Sequence, residues 1–328
     1  MLAMLAVGYA DDVMEDTGSF PEDEVETVQY APTQLELLEE SVALRRMGAF
    51  EDAAKMLIRA VDTDGEVDAQ VAYQRGVLFE VTEQWAEAID SYRTVTQTWP
   101  DAPVASDAWF RMAYCQEEMG EHRTSLRTVR QLQRKGQWND ADERSMELQR
   151  GIAETRAGRT KRGIRRILRA LESGEDGRSW IRAKARLALV RVQTAAAEGL
   201  DLKGDAKAAR RLKKRSHLIA SAEKQAIAMF TLGEPEFALE GLLLLGDAYM
   251  ALYDAMLEYP PPRSVPKEQH EAYRQTVESK AAILRAKAFA RYDEGVRVAA
   301  RTQWVGSVTD RLTAARDRVR PVEPQQTQ

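Results

Sequence analysis

The sequence predicts an all-α fold, a right-handed α-solenoid of about six helix pairs with a C-terminal capping helix. Three observations lead there. First, small residues recur at Ala53, Ala88, Ser125 and Gly163, spaced 35, 37 and 38 residues apart. Twelve residues before each stands another small residue: Ser41, Gly76, Ala113 and Gly151. Two antiparallel helices need such a pair wherever their backbones cross closely, and a period of 35–38 residues is that of stacked helix–turn–helix units. Second, a turn position lies five residues before each member of the first set, at Gly48, Glu83, Gly120 and Gly158. Third, strand signals are nearly absent: the chain has no alternating β-branched run and no Asn-Gly hairpin. With 44% hydrophobic and 30% charged residues over 328 positions, it can form a continuous helical array.

The elements follow in order. Residues 1–10, MLAMLAVGYA, have the apolar stretch and small-x-small end of a signal peptide, but its basic start is missing, so they are read as a possible truncated signal peptide. The stretch is too short to span a bilayer, so no transmembrane segment is expected. Residues 11–33 carry eight acidic residues with Gly18, Pro21 and Pro32, which predicts an acidic flexible leader. Residues 34–172 hold four repeats. In the first, Phe50, Ala53, Leu57 and Ala60 keep the spacing of one buried helical face. The second places Gly76 and Phe79 on one helix and Trp85, Ala88, Tyr92 and Val95 on the next, with Pro100 ending it. The third includes WPDAPVASDAWFRMAYCQEEMGEHRTSLRTVRQL from Trp99, and the fourth is strongly basic.

Gly76, Phe79, Ala88, Tyr92 and Pro100 resemble the tetratricopeptide-repeat (TPR) pattern. The segment from Trp99 is similar to the TPR domains of bacterial envelope proteins, namely the outer-membrane assembly lipoproteins and the Tol–Pal coordinator family. That resemblance implies an exported, protein-binding scaffold. The chain departs from the pattern at Gln116, His122 and Glu154, where aromatic residues are usual.

Residues 173–319 are expected to form divergent helical repeats and a cap. A fifth pair covers about Ser179–Ala197 and Asp205–Leu232. A sixth includes Leu242, Leu245, Gly246 and Tyr249, then a long helix from about Lys267 to Ala300, and the last helix runs from Trp304 to Val319. The small-residue ladder is not expected beyond Gly163. Residues 320–328 read as a disordered tail.

Two surfaces are candidates for partners. Spacing puts Gln70, Tyr73, Val77, Phe110, Tyr114 and Glu117 on the inner face of the first helices, where aromatic anchors would hold a peptide or helix in a concave groove. The same spacing is equally that of residues packed between repeats. The second surface is basic: Gln149 to Arg215 contains 20 Lys and Arg against seven Asp and Glu, although the whole chain has a net charge of −5. Arg159, Lys161, Arg162, Arg165, Arg166 and Arg169 form one cluster; Arg210, Arg211, Lys213 and Lys214 form another. An anionic protein or membrane surface would suit them, as alternatives to a solvated face. Nucleic acid is disfavoured because no aromatic residue interleaves the clusters.

Catalysis is not expected. His122, His217 and His270 are far apart, and no nucleotide-binding, hydrolase or metal-ligand motif is present. No cofactor and no metal is predicted. The single cysteine, Cys115, falls in a helical apolar pattern and reads as a structural thiol. The sequence thus predicts a non-enzymatic interaction scaffold, periplasmic or in the cell envelope, with a cytoplasmic adaptor using the basic face as the alternative.

Overall fold

Helix after helix, the computed structural model places apolar stripes against their neighbours. It describes residues 31–64, 68–136, 138–174, 176–202, 207–261 and 265–320, so the possible signal peptide, nearly all of the acidic leader and the tail from 321 lie outside the described residues. The chain divides into Met1–Pro32 and Thr33–Gln328, and every described helix belongs to the second unit.

Six antiparallel pairs follow one another: α1 (Gln34–Arg46) with α2 (Phe50–Asp64), α3 (Ala69–Val81) with α4 (Trp85–Thr98), α5 (Ala105–Glu118) with α6 (His122–Arg134), α7 (Asp140–Arg156) with α8 (Thr160–Glu172), α9 (Ser179–Glu198) with α10 (Ala208–Phe230), and α11 (Pro235–Leu257) with α12 (His270–Thr302). A single 3-10 turn, Lys267–Gln269, leads into α12, and α13 (Ser307–Val319) ends the array. No strand occurs among the described residues.

Local chemistry starts and stops these helices. Thr33 caps α1 with Glu36 in a reciprocal capping box, and Asp68 and Asn139 accept from backbone N–H groups at the starts of α3 and α7. The four predicted turn positions are all left-handed, with φ of 78° at Gly48, 60° at Glu83, 79° at Gly120 and 78° at Gly158. In each turn the following N–H reaches back five residues: Ala49 to Leu44, Gln84 to Phe79, Glu121 to Gln116 and Arg159 to Glu154. This is the Schellman closure, and the left-handed residue makes it possible. The same closure, from Trp304 N–H to the Ala299 carbonyl after left-handed Gln303, ends α12. Trp304 is therefore part of a turn, and α13 begins three residues later than the sequence suggests.

The small residues do what their spacing requires. Ser41 Oγ donates to the Ala53 carbonyl across the α1–α2 crossing at 2.9 Å. A Cβ added to Gly76 would lie 2.6 Å from the Tyr92 ring, and one added to Gly163 would lie 2.6 Å from the Gly151 carbonyl oxygen. One expectation is corrected: such crossings do not end at Gly163. Gly246 faces the Tyr292 ring and Gly295 abuts Leu312. Here the contacting residues lie on helices of 23 and 33 residues, so the sequence interval between them changes.

One buried cluster runs from Ala72 to Val319, while Leu37, Leu38, Ala53, Leu57 and Ala60 form a separate small core in the first pair, joined by Val71 and Leu78. Packing between α8 and α9 is sparse; α9 lies instead against α7 and α11.

Two outcomes follow for thermal denaturation. Glu83→Gly raises stability by about 0.5–1 kcal/mol, because a side chain in the left-handed region is strained. Gly163→Ala lowers it by about 3 kcal/mol through the backbone collision, more than Gly120→Ala, which meets no atom within 4 Å and loses only the left-handed preference.

Candidate functional site

The inner helices do not leave an open aromatic groove. Phe110 is 0% exposed, Glu117 1%, Val77 4%, Tyr114 6% and Tyr73 9%. Among the six expected groove residues, Gln70 lines an open cleft between α1 and α3 beside Leu38 and Val42, and Tyr114 keeps an edge on a chamber that it shares with Trp85 and Phe237. This corrects the expectation of exposed anchors. The reason is that α9 and α11 bring their own side chains onto the same surface. Trp180 and Phe237 sit 6.3 and 6.4 Å from the Tyr114 ring, and Trp85 closes a third side at 5.9 Å.

A charge network occupies the space between these rings. Arg111, on α5, donates to Glu80 Oε1 at 2.7 Å, to the Tyr73 hydroxyl at 2.7 Å and to Asp107 at 3.2 Å. Its guanidinium lies 4.9 Å from the Trp180 ring centre. Asp107 also accepts from the Tyr73 hydroxyl, from Arg178 Nε at 3.0 Å and from Trp180 Nε1 at 3.1 Å. Glu80 accepts from the Tyr92 hydroxyl at 2.7 Å. Nearby, Lys184 Nζ stands 2.9 Å from Glu117, which also accepts from Ser125 and Gln149. Lys184 is at the same time 3.9 Å above the centre of Tyr114.

These contacts set the ionisation. Burial pushes the Asp107 carboxyl up, but Arg111, the Tyr73 hydroxyl and Arg178 outweigh it and hold the group below its ordinary range. Burial, then Glu80, pushes Cys115 far up, as expected of a structural thiol. Neither arrangement supplies a nucleophile with a base beside it. No group of three or more His, Cys, Asp or Glu side chains suited to a metal exists among the described residues.

The basic residues divide into two kinds. On α8, Arg162 and Arg166 reach Glu154 at 3.0 and 3.1 Å, and Arg166 also pairs with Glu147. Arg159, Lys161, Arg165 and Arg169 are exposed, with no acidic partner among the described residues. Of these, Arg165 and Arg169 edge a cleft of about 440 Å³ between α7 and α8, opposite Asp140, Glu143 and Glu147. On α10, Arg210, Lys213 and Lys214 are exposed and Arg211 is half-buried. Arg215 is buried, and burial lowers its pKa. The two clusters stay apart, since α8 and α10 make no helix–helix contact among the described residues.

The sequence put Tyr73 and Glu117 on the inner face but did not show Arg111, Asp107 and Lys184 as their partners. The available signal was charge inside apolar stripes: Arg182 and Lys184 stand between Ile181 and Leu187, and buried charges demand partners.

Arg111→Ala leaves buried Glu80 without its cation and half-buried Asp107 with Arg178 alone, and destabilises by about 3–5 kcal/mol in urea titration, whereas Arg111→Met combined with Glu80→Gln and Asp107→Asn costs less. The Asp107 contribution is complete above its ordinary value of 3.8 and is lost as pH falls through the lower folded value. Asp107→Asn therefore weakens the fold at pH 6, and the difference from the parent shrinks as the pH falls from 3.8 through the lower folded value.

No helix among the described residues is long and apolar enough to cross a membrane. No curated protein matches the chain. Its fold aligns with a TPR repeats protein from Bacteroides fragilis at 11% identity and TM-score 0.34, covering 77% of this chain and 98% of that one. It also aligns with a tetratricopeptide repeat protein from Parabacteroides merdae at 15% and 0.40, covering 87% and 98%, and with yeast Tom70 at 12% and 0.28, covering 87% and 80%. Residues 107–143, from the first turn of α5 to the first turn of α7, match the tetratricopeptide repeat family, so the chain carries a tetratricopeptide repeat there.

Proposed function

We propose that this protein is a non-enzymatic protein–protein interaction scaffold that holds an acidic partner on the α8 ridge, as a component of a bacterial cell-envelope complex. The observation that carries the reading is the row of exposed cations, Arg159, Lys161, Arg165 and Arg169, left without acidic partners while the inner face is filled by the protein's own side chains. Successive α8 residues three and four apart share a face, so Lys161, Arg165 and Arg169 project as one strip that an acidic segment can follow. The tetratricopeptide repeat at 107–143 supports a protein as the partner. The envelope assignment is supported by the resemblance from Trp99 onward and by the apolar stretch MLAMLAV.

Calorimetry with a polyglutamate peptide tests the ridge. The parent chain binds it, and binding weakens with added salt as screening shortens the reach of the charges. Arg165→Glu with Arg169→Glu weakens binding about tenfold at low salt. Reversing Arg210 and Lys213 has less effect, because that cluster lies on another helix. Cell fractionation of the intact gene product tests the envelope assignment, with recovery in the periplasmic or membrane fraction as the expected result.

A further inference from the structure

A chamber of about 280 Å³ lies where the two ends of the helical unit meet. The α1–α2 turn abuts the α12–α13 turn so closely that a Cβ on Gly48 would stand 2.8 Å from the Val305 Cβ. Trp85, Tyr114, Phe237 and Trp304 contribute aromatic wall. Charged groups come from every surrounding helix, and most are already matched. Glu80, from α3, holds Arg111 at 2.7 Å. On α5, Glu118 holds Arg156 at 2.9 Å and Glu117 holds Lys184 of α9 at 2.9 Å. On α11, Glu240 faces Arg311 at 3.4 Å and Arg191 at 3.8 Å, while Glu234 accepts from Ser179. Arg46 and Glu83 are exposed at the rim, where water serves them.

Two half-buried charges remain without an ion pair or side-chain hydrogen bond among the described residues: Arg45 from α1 and Glu236 from α11. They have opposite signs and do not meet each other. Glu236 has an excess of its own sign nearby, and Arg45 is set against Arg111. Burial, and then Glu80, Glu234 and Glu118 against the single opposing Arg111, pushes Glu236 up to about 7. Burial, and then Arg111, lowers Arg45, with Glu80 opposing. An unpaired half-buried charge is costly, and two of opposite sign in one chamber call for one ligand that carries both.

We propose that this chamber binds a small zwitterion of the basic amino-acid class, with its carboxylate on Arg45, its α-ammonium in water at the rim on the Glu83 side, and its side-chain cation on Glu236 beside the Tyr114 ring. A simple cation leaves Arg45 unmatched and a simple anion leaves Glu236 unmatched. The volume lies at the lower limit for small-molecule sites, which suits an amino acid rather than a folded segment. Aromatic walls add cation–π attraction at the Glu236 end. Because the bound cation favours ionised Glu236, binding releases a proton near neutrality and tightens as the pH rises through 7.

Calorimetry on the full chain tests this with L-arginine, L-lysine, L-arginine methyl ester, which lacks the carboxylate, and L-citrulline, which lacks the side-chain charge. The expected result is that L-arginine binds at least tenfold more tightly than the ester or citrulline, and more tightly at pH 8 than at pH 6. Glu236→Gln, nearly isosteric, abolishes the preference for arginine over citrulline and flattens the pH dependence. Arg45→Gln abolishes the preference for arginine over its ester. Circular dichroism melts establish that both variants are folded. Failure of the folded parent to bind either L-arginine or L-lysine overturns the proposal, as does retention of both preferences in both variants. Because Arg45 and Glu236 lie off the α8 ridge, polyglutamate binding is unchanged in these variants.

Discussion

Close helix crossing is the constraint on which the rest of this structure depends. At the α7–α8 crossing, the Gly163 α-carbon lies so near the Gly151 carbonyl that a single methyl group would stand 2.6 Å from its oxygen. At the α3–α4 crossing, Gly76 admits the face of the Tyr92 ring. That ring position places the Tyr92 hydroxyl on Glu80, and Glu80 in turn holds Arg111. Arg111 fixes Asp107, which anchors Arg178 and Trp180 at the start of α9. A small residue in the second pair thereby bears on where the fifth pair sits, whose first helix begins 103 residues after Gly76. The crossing is repeated later with the same chemistry: Tyr292 packs on Gly246 and donates to Asp247 at 2.7 Å.

The network built on this crossing acts more through selection than through net energy. Desolvation of a buried ion pair offsets most of its attraction, so Arg111 with its two carboxylates adds little to stability over an apolar triad of equal volume. Misplacing α9, however, would strand Asp107 without Arg178 and Trp180, and Glu117 without Lys184. Each stranded charge is heavily penalised, so alternative stackings are excluded. A solenoid built only from aliphatic contacts would have several near-equivalent ways to lay α9 against the inner face.

The parts of this design that are written locally were legible in the sequence. Turn positions at Gly48, Gly120 and Gly158 could be read because a left-handed residue and its backward hydrogen bond involve six consecutive residues. Even Glu83, which lacks the usual glycine, was found through its register. The inner face was not legible, because what covers Tyr114 is Trp180 and Phe237, 66 and 123 residues further on. No local pattern distinguishes an aromatic that awaits a partner from one already covered by a distant helix. The crossings after Gly163 were missed for a related reason: Gly246 meets a tyrosine 46 residues later, across the longest helix, so no fixed interval marks it. Charge counting found the basic region but could not show that Arg162 and Arg166 are neutralised by Glu154 and Glu147.

The same neutralisation explains why the free charge lies on the outside of the array. Glu154 sits in the last turn of α7 and takes up two α8 arginines. Two residues later, Arg156 crosses in the other direction to Glu118. The last turn of α7 thus divides its charges between its neighbours, one acid toward α8 and one base toward α5. The remaining cations, Arg159, Lys161, Arg165 and Arg169, pair with no acid among the described residues, although Arg165 and Arg169 edge the α7–α8 cleft, and because α8 packs only sparsely on α9, no later helix covers them. The exposed ridge is therefore a consequence of the break after the fourth pair: the array stops stacking on α8 and continues over α7, leaving a basic helix face with nothing folded against it.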